Sequence, residues 1–442
     1  MRKAYEEYKA TGIQWLPKIP RHWDWSFLSQ IADEKKVKKP KNEMFPVMSL
    51  SYGRIIKKKN INSGLVPNNY DNYQIISRGD IILRFTDLQN DHTSLRTGLV
   101  TEKGIITSAY TNIKPRINSS FLAYLLHAYD NLKIFYGLGG GVRQSIGFKD
   151  VRYLQLPIPP REEQEQIVRF LDWKVSSINK LINLKQQEIF ELKQSFSSFL
   201  TKELTGLSNT TNIPLKRVFS VPMTDGPHET PKLEETGIPF VSAESAHDGR
   251  INLKDCRGYI SVEQHKVFCK KVKPQRDDIF IVKSGSTTGK TVIVDFDEEF
   301  SIWSPLALIR CNDLAIPKYI FYFCTSELFQ KQVRDKWSFG TQPNIGMNVL
   351  RDLRVLLPSI VDQNSFVLAT DKYWKTVQDL IKLIEQQITN LHDIKSSLIA
   401  DVVTGQIDVR DVEIPDYEQV EKTLDKADGS TLNSDDEMPE EV

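Results

Sequence analysis

The chain has 442 residues, 58 Lys+Arg against 57 Asp+Glu for a formal net charge of +1, and 40% hydrophobic residues. That composition belongs to water-soluble globular protein in two to four domains and excludes collagenous and low-complexity chains. No run approaches the roughly 18 apolar residues of a membrane helix, and the opening MRKAYEEYKATG lacks a signal-peptide core; a cytoplasmic protein with no membrane partner is expected.

Residues 1–158 read as a globular block of short β-like runs and turns, among them Asp80-Ile81-Ile82-Leu83. Its lysine runs, Lys35-Lys36-Val37-Lys38-Lys39 and Lys57-Lys58-Lys59, suit phosphate neutralisation, although such runs also serve as solvated loops. Gly137-Leu-Gly-Gly-Gly141 lacks the G-x-G-x-x-G spacing of a dinucleotide loop and reads as a turn. Arg143 and Gln144 just beyond it can make bidentate contacts to base edges, or bond backbone as polar loop residues.

Residues 159–206 follow a turn containing Pro157, Pro159 and Pro160, and carry an apolar seam at period 3.5: Val175, Ile178, Ile182, Ile189, Leu192, Phe196 and Phe199, broken at Lys185. This period predicts a long coiled-coil helix, closed at Thr205-Gly206 with glycine as the C-cap. A second block spans residues 207–355, in which Asp278-Ile279-Phe280-Ile281 echoes residues 80–83 and the Gly340–Gly346 segment, with Gln342 and Asn344, echoes Gly141–Gly147. Within it, Ser284-Gly-Ser-Thr-Thr-Gly-Lys-Thr291 approximates a phosphate-binding loop, but Ser284 stands where G-x-x-x-x-G-K-[ST] requires glycine. Apolar β-like runs flank it on both sides, so strand, turn, strand is expected.

Residues 356–407 predict a second long helix with the seam Trp374, Val377, Ile381, Ile384, Ile388, Leu391 and Leu398, broken at Lys395 and closed at Thr404-Gly405. Val151–Gly206 and Leu350–Gly405 align without a gap at an offset of 199, matching Arg152 with Arg351, Leu154 with Leu353, Pro159 with Pro358, Gln164 with Gln363 and Asp172 with Asp371. The coincident seams predict helices that pair with each other rather than with a second protein. The fold class expected is α+β: two globular domains separated by an antiparallel pair of long coiled-coil helices, a pseudo-two-fold internal repeat. The 24 steps from Val175 to Phe199 span about 36 Å, near the roughly 34 Å between DNA half-sites one turn apart.

Residues 408–442 hold 13 acidic and 3 basic residues and read as a disordered tail. The remaining 407 residues are therefore basic, and residues 1–158, with 24 basic and 13 acidic residues, hold nearly all of that excess. No Asn/Asp-Pro-Pro-Tyr/Phe methyltransferase segment, H-E-x-x-H or zinc-ribbon cysteine spacing is present, so neither catalytic residues nor a metal site are expected; Cys256, Cys269, Cys311 and Cys324 are expected reduced and mainly buried.

On these residues the chain resembles the specificity subunit of Type I restriction-modification systems. The resemblance rests on L-P-I-P-P-x-x-E-Q-x-x-I at Leu156–Ile167, the long helix ending in Thr-Gly, G-x-x-x-S-I-G at Gly141–Gly147, the duplication, and the opening TGIQWLPKIPRHW from Thr11 to Trp23. The second copy departs from it, with SIVDQNSF where the first has PREEQEQI. The resemblance implies that residues 1–158 and 207–355 are target recognition domains, each reading half of a bipartite double-stranded DNA site. The helices would set the spacer and dock two methylation (M) subunits, which restriction (R) subunits then join. It implies no catalysis or cofactor for this chain, with S-adenosylmethionine, ATP and Mg used by the partners. It also makes Lys283, Ser286 and Lys290 candidates for DNA contact, beside Lys57, Lys58, Lys59, Arg84, Arg143, Gln144, Gln342 and Asn344. A coiled-coil adaptor whose globular ends bind proteins is the alternative.

Overall fold

A computed structural model of the chain describes residues 3–40, 43–58, 70, 72–86, 95–137, 146–339 and 342–420. Two helices dominate it, Arg161–Gly206 (α1) and Ile360–Val403 (α2). The chain divides into two compact units, residues 1–186 with 385–442 and residues 187–384, so the boundary cuts both helices.

The first unit holds a sheet of six strands: Ala32–Glu34 (β1), Met48–Ser51 (β2), Arg54–Lys57 (β3), Ile81–Leu83 (β4), Thr97–Leu99 (β5) and Thr111–Pro115 (β6), in the order β1-β6-β4-β5-β3-β2. The second unit repeats it with Thr224–Asp225 (β7), Ala246–His247 (β8), Arg250–Ile251 (β9), Ile279–Val282 (β10), Thr291–Ile293 (β11) and Leu306–Ile309 (β12), ordered β7-β12-β10-β11-β9-β8. Both sheets are antiparallel except for one step at the same place, β3 with β5 and β9 with β11. The central strands are apolar throughout because both faces are covered. Ile279 and Ile281 enter one core and Phe280 and Val282 another; likewise Ile81 and Leu83 part from Ile82. This is the period-2 alternation of a strand between two layers.

In each unit a two-stranded antiparallel pair leads into a long helix, Asp24–Phe27 with Gln155–Ile158 and Thr211–Pro214 with Arg354–Leu357. The helix is then pegged to its domain by the matched polar residues. The Gln164 amide donates to Pro159 O (2.9 Å) and accepts from Asn118 N (3.2 Å). Gln363 donates to Pro358 O (3.0 Å) and accepts from Ile316 N (2.8 Å). Eight residues on, Tyr124 donates to Asp172 (2.8 Å) and Tyr322 to Asp371 (2.6 Å).

The helices pair antiparallel, as the seams predict. In the first unit Val402 and Val403 share a core with Ile167, Phe170 and Leu171, and the Lys395 ammonium donates to Asn179 Oδ1 (3.2 Å). In the second, Phe199 meets Tyr373 and Phe196 meets Trp374, each at 4.4 Å between ring centroids. Every seam residue named above is buried or half-buried.

Four expectations are corrected. Residues 356 and 357 belong to the strand that precedes α2, and residues 404–407 lie beyond its end. Gly405 does take the left-handed conformation of a C-cap (φ +73°), but Gly206 remains inside α1. Residues 408–420 are held against α1 rather than disordered: Val409 is buried, Gln166 donates to Val409 O (3.0 Å) and Val412 O (2.8 Å), and Ser176 Oγ donates to Glu418 O (2.8 Å); residues 421–442 of that tail lie outside the described residues. Only Cys324 of the four cysteines is buried; the others are half-buried.

Candidate nucleic-acid interface

Strands β10 and β11 are antiparallel neighbours joined by residues 283–290, so the segment that approximates a phosphate loop is a strand, turn, strand. A second antiparallel strand pair, Ser338–Phe339 with Pro343–Asn344, lies against it. Gly285 N (3.2 Å) and Thr288 Oγ1 (2.9 Å) both donate to Pro343 O, and Ile345 N donates to Lys283 O (2.8 Å). These bonds bring together candidates almost sixty residues apart in sequence, with the side chains of Ser286, Gln342 and Asn344 exposed on the joined loops.

The two lysines of this loop are less available than their sequence suggests. Lys290 is half-buried, and burial lowers its ammonium pKa, with Lys193 adding to the effect and Asp248 opposing it. The Lys283 ammonium turns inward and donates to the buried carboxylate of Asp225 (2.6 Å), which also accepts from Lys271 (2.6 Å). Neither Asp225 nor Lys271 was singled out in the sequence. Nothing in their local pattern marks them, because β7 and β10 are joined through β12 and not through sequence.

In the first domain the equivalent region is described in part. Arg84, directly after β4, is buried. Arg96, directly before β5 and so the counterpart of Lys290, is wholly buried: its guanidinium donates to Thr86 O (2.6 Å) and Tyr136 Oη (3.2 Å). Lys57 is exposed and ion-paired with Glu102 (2.7 Å), and the Lys58 backbone N donates to Val47 O (3.0 Å). Lys35 bonds the buried Asp80 (2.5 Å). Lys59, Arg143 and Gln144 lie outside the described residues.

The family model for the type I restriction modification DNA specificity domain matches residues 20–194 and again residues 208–391. The chain belongs to that family. It is thus a DNA-binding specificity subunit with two target recognition domains, and the adaptor alternative is not favoured. It is similar to the type I restriction enzyme MjaVIII specificity subunit of Methanocaldococcus jannaschii, with 22% identity over 367 residues, 76% of this chain and 81% of the relative. A chain in a solved structure concerned with assembly and conformational transition of the type I restriction-modification system shares the fold, with a TM-score of 0.59 at 16% identity over 88% of this chain and 99% of that one. Among the described residues no helix is long and apolar enough to cross a membrane, and no group of three or more His, Cys, Asp or Glu is placed to hold a metal ion.

Proposed function

We propose that the chain supplies the target sequence of a Type I restriction-modification complex, each recognition domain reading one half of an interrupted duplex site while α1 and α2 hold the spacer constant. The observation that carries this reading is one strand order built twice in one chain, with the loops between the strands diverged. Phosphate contacts from the basic first domain would position the complex, and polar loop side chains such as Ser286, Gln342 and Asn344 would read groove edges. The chemistry would belong to partners: a methylation subunit that extrudes the target adenine and uses S-adenosylmethionine, and restriction subunits that use ATP and Mg.

Two methylation subunits are supported by a second repeated feature. Leu181 and Leu184 on α1, and Leu380 and Leu383 on α2, occupy matching places at the offset of 199, turned off the seam and between 43% and 58% exposed. Apolar pairs repeated on equivalent helix surfaces suit two copies of one partner. The reading is tested by mapping methylated bases in a host that carries the chain with its partner subunits. N6-methyladenine confined to one interrupted motif supports it; methylation unaltered by removal of the chain, in an otherwise active system, rejects it.

A further inference from the structure

The two recognition domains share a strand order, so features present in both mark the frame and features present in one mark what that domain does differently. Gln164 and Gln363, Asp172 and Asp371, and the buried carboxylates Asp80 and Asp278 occur in both. Among the described residues, the cluster around Asp225 occurs only in the second. Carrying the strand registers across, the first domain has Lys36 where the second has Asp225, and Phe85 where it has Lys283.

Asp225 ends β7 and is 1% exposed. Lys271 Nζ donates to its Oδ1 and Lys283 Nζ to its Oδ2, both at 2.6 Å, and His228 Nε2 stands 3.4 Å from Oδ2. Burial disfavours the charge on Asp225, but the hydrogen bonds and charges of the two lysines outweigh it and hold the carboxyl below the usual aspartate range. One carboxylate between two ammoniums leaves the cluster positive. It is closed at the carboxylate and open on the Lys271 side, whose side chain is 47% exposed, while the Lys283 side chain behind it is 13% exposed. Each ammonium has three donors; Lys283 gives one to Asp225, and Lys271 gives one to Asp225 and another to Gly226 O (3.1 Å), so both keep a donor.

The surrounding loops are locked. A Cβ at Gly226 would stand 2.0 Å from Ile302 O, Pro227 O accepts from Ser304 N (3.2 Å), and Lys283 N donates to Pro305 O (2.7 Å). The cluster therefore sits at the root of the 283–290 loop, whose far side carries Ser286 beside Gln342.

We infer that Asp225 is a positioning residue for DNA recognition: it fixes the Lys271 and Lys283 ammoniums side by side as a clamp for one backbone phosphate, setting the register of the neighbouring loop on the duplex. The inference rests on the DNA-reading role proposed above for residues 207–355. Fixed cations position while loop side chains specify, so loss of the carboxylate costs specific binding more than general attraction.

The test uses the full chain assembled with its methylation subunits, a duplex carrying the motif mapped by N6-methyladenine sequencing, and a scrambled duplex of equal length. Asp225→Asn is expected to weaken binding to the mapped duplex about tenfold and to leave binding to the scrambled duplex unchanged or stronger, since the variant gains positive charge. Lys271→Met, at a side chain that is 47% exposed, is expected to reduce the slope of log affinity against log salt on the mapped duplex by about one. Adding Asp225→Asn to Lys271→Met and Lys283→Met is expected to cost nothing further, because Asp225 acts through those lysines. An Asp225→Asn complex with the wild-type ratio of mapped to scrambled affinity overturns the clamp. So does an unchanged salt slope in Lys271→Met, or a parallel fall of both affinities with the thermal midpoint. A wild-type complex with no preference for the mapped duplex would instead remove the DNA-reading role itself.

Discussion

Glu163 accepts from Tyr5 Oη (2.5 Å), Trp23 Nε1 (3.0 Å) and His22 Nε2 (2.8 Å), so the two segments that carry the family resemblance, residues 11–23 and 156–167, meet in one joint. The motif was legible in the sequence; that its glutamate is an anchor for the N-terminal segment was not, because the partners lie some 140 to 158 residues away. The two Thr-Gly endings show the same limit. They look alike in sequence, yet Gly405 has φ +73° and a Cβ there would stand 2.4 Å from Pro20 Cδ and 3.1 Å from Trp23, whereas Gly206 is helical with open space around it. Gly405→Ala is therefore expected to destabilise the chain by more than about 1 kcal/mol, and Gly206→Ala to be neutral or stabilising by up to about 1 kcal/mol; denaturant unfolding of the two variants checks both signs. His127 gives a pH dependence. Burial lowers its imidazole pKa to about 4, with Lys395 adding to the effect, and Lys395, His392, Arg54 and Asp172 line the same cavity of about 530 Å³. The folded chain thus binds fewer protons than the unfolded chain, in which the value is about 6.5. Its contribution is complete above pH about 6.5 and is lost as pH falls toward 4, on the order of 1–3 kcal/mol. The thermal midpoint should fall over that window, and less so in His127→Gln.

Among the elements, the long helices were the most legible, because a 3.5-residue seam needs only local spacing to be seen. The sheets were legible only as short apolar runs. Their order, with β4 between β5 and β6, depends on pairings across tens of residues and a parallel step that no local pattern announces. Over residues 408–420 the expectation of disorder fails for a related reason. Acidic composition argues for disorder on average, but Val409, Val412 and Ile414 find an apolar core, and the polar side chains Gln166, Ser176 and Asn179 of α1 satisfy the backbone that packs there. The leucines turned off the seam carry a prediction at this scale. Replacing Leu181 and Leu184 by Asp should leave the helix pairing intact and remove one methylation subunit, shifting the mass of the complex from two copies to one; replacing Leu380 and Leu383 should do the same. A complex that keeps both copies in each variant would rule out these docking surfaces.

For the whole molecule, the net charge of +1 conceals an uneven distribution of charge. Residues 1–158 carry 24 basic against 13 acidic residues, so ion pairs such as Lys57 with Glu102 and Arg116 with Asp33 still leave a positive excess. Residues 207–355, with 20 basic and 18 acidic, have little to spare and concentrate what they have, as around Asp225. On the proposed reading the first domain would then supply most of the phosphate attraction, and both domains would supply sequence. Base identity stayed illegible because it resides in loop geometry, while the frame was legible because it is used twice. The most direct measurement exchanges residues 1–158 for the corresponding domain of another specificity subunit and sequences N6-methyladenine in the host. One half of an interrupted motif should change while the other half and the spacer stay the same; a change in both halves, or an uninterrupted motif, would contradict two independent readers in one chain.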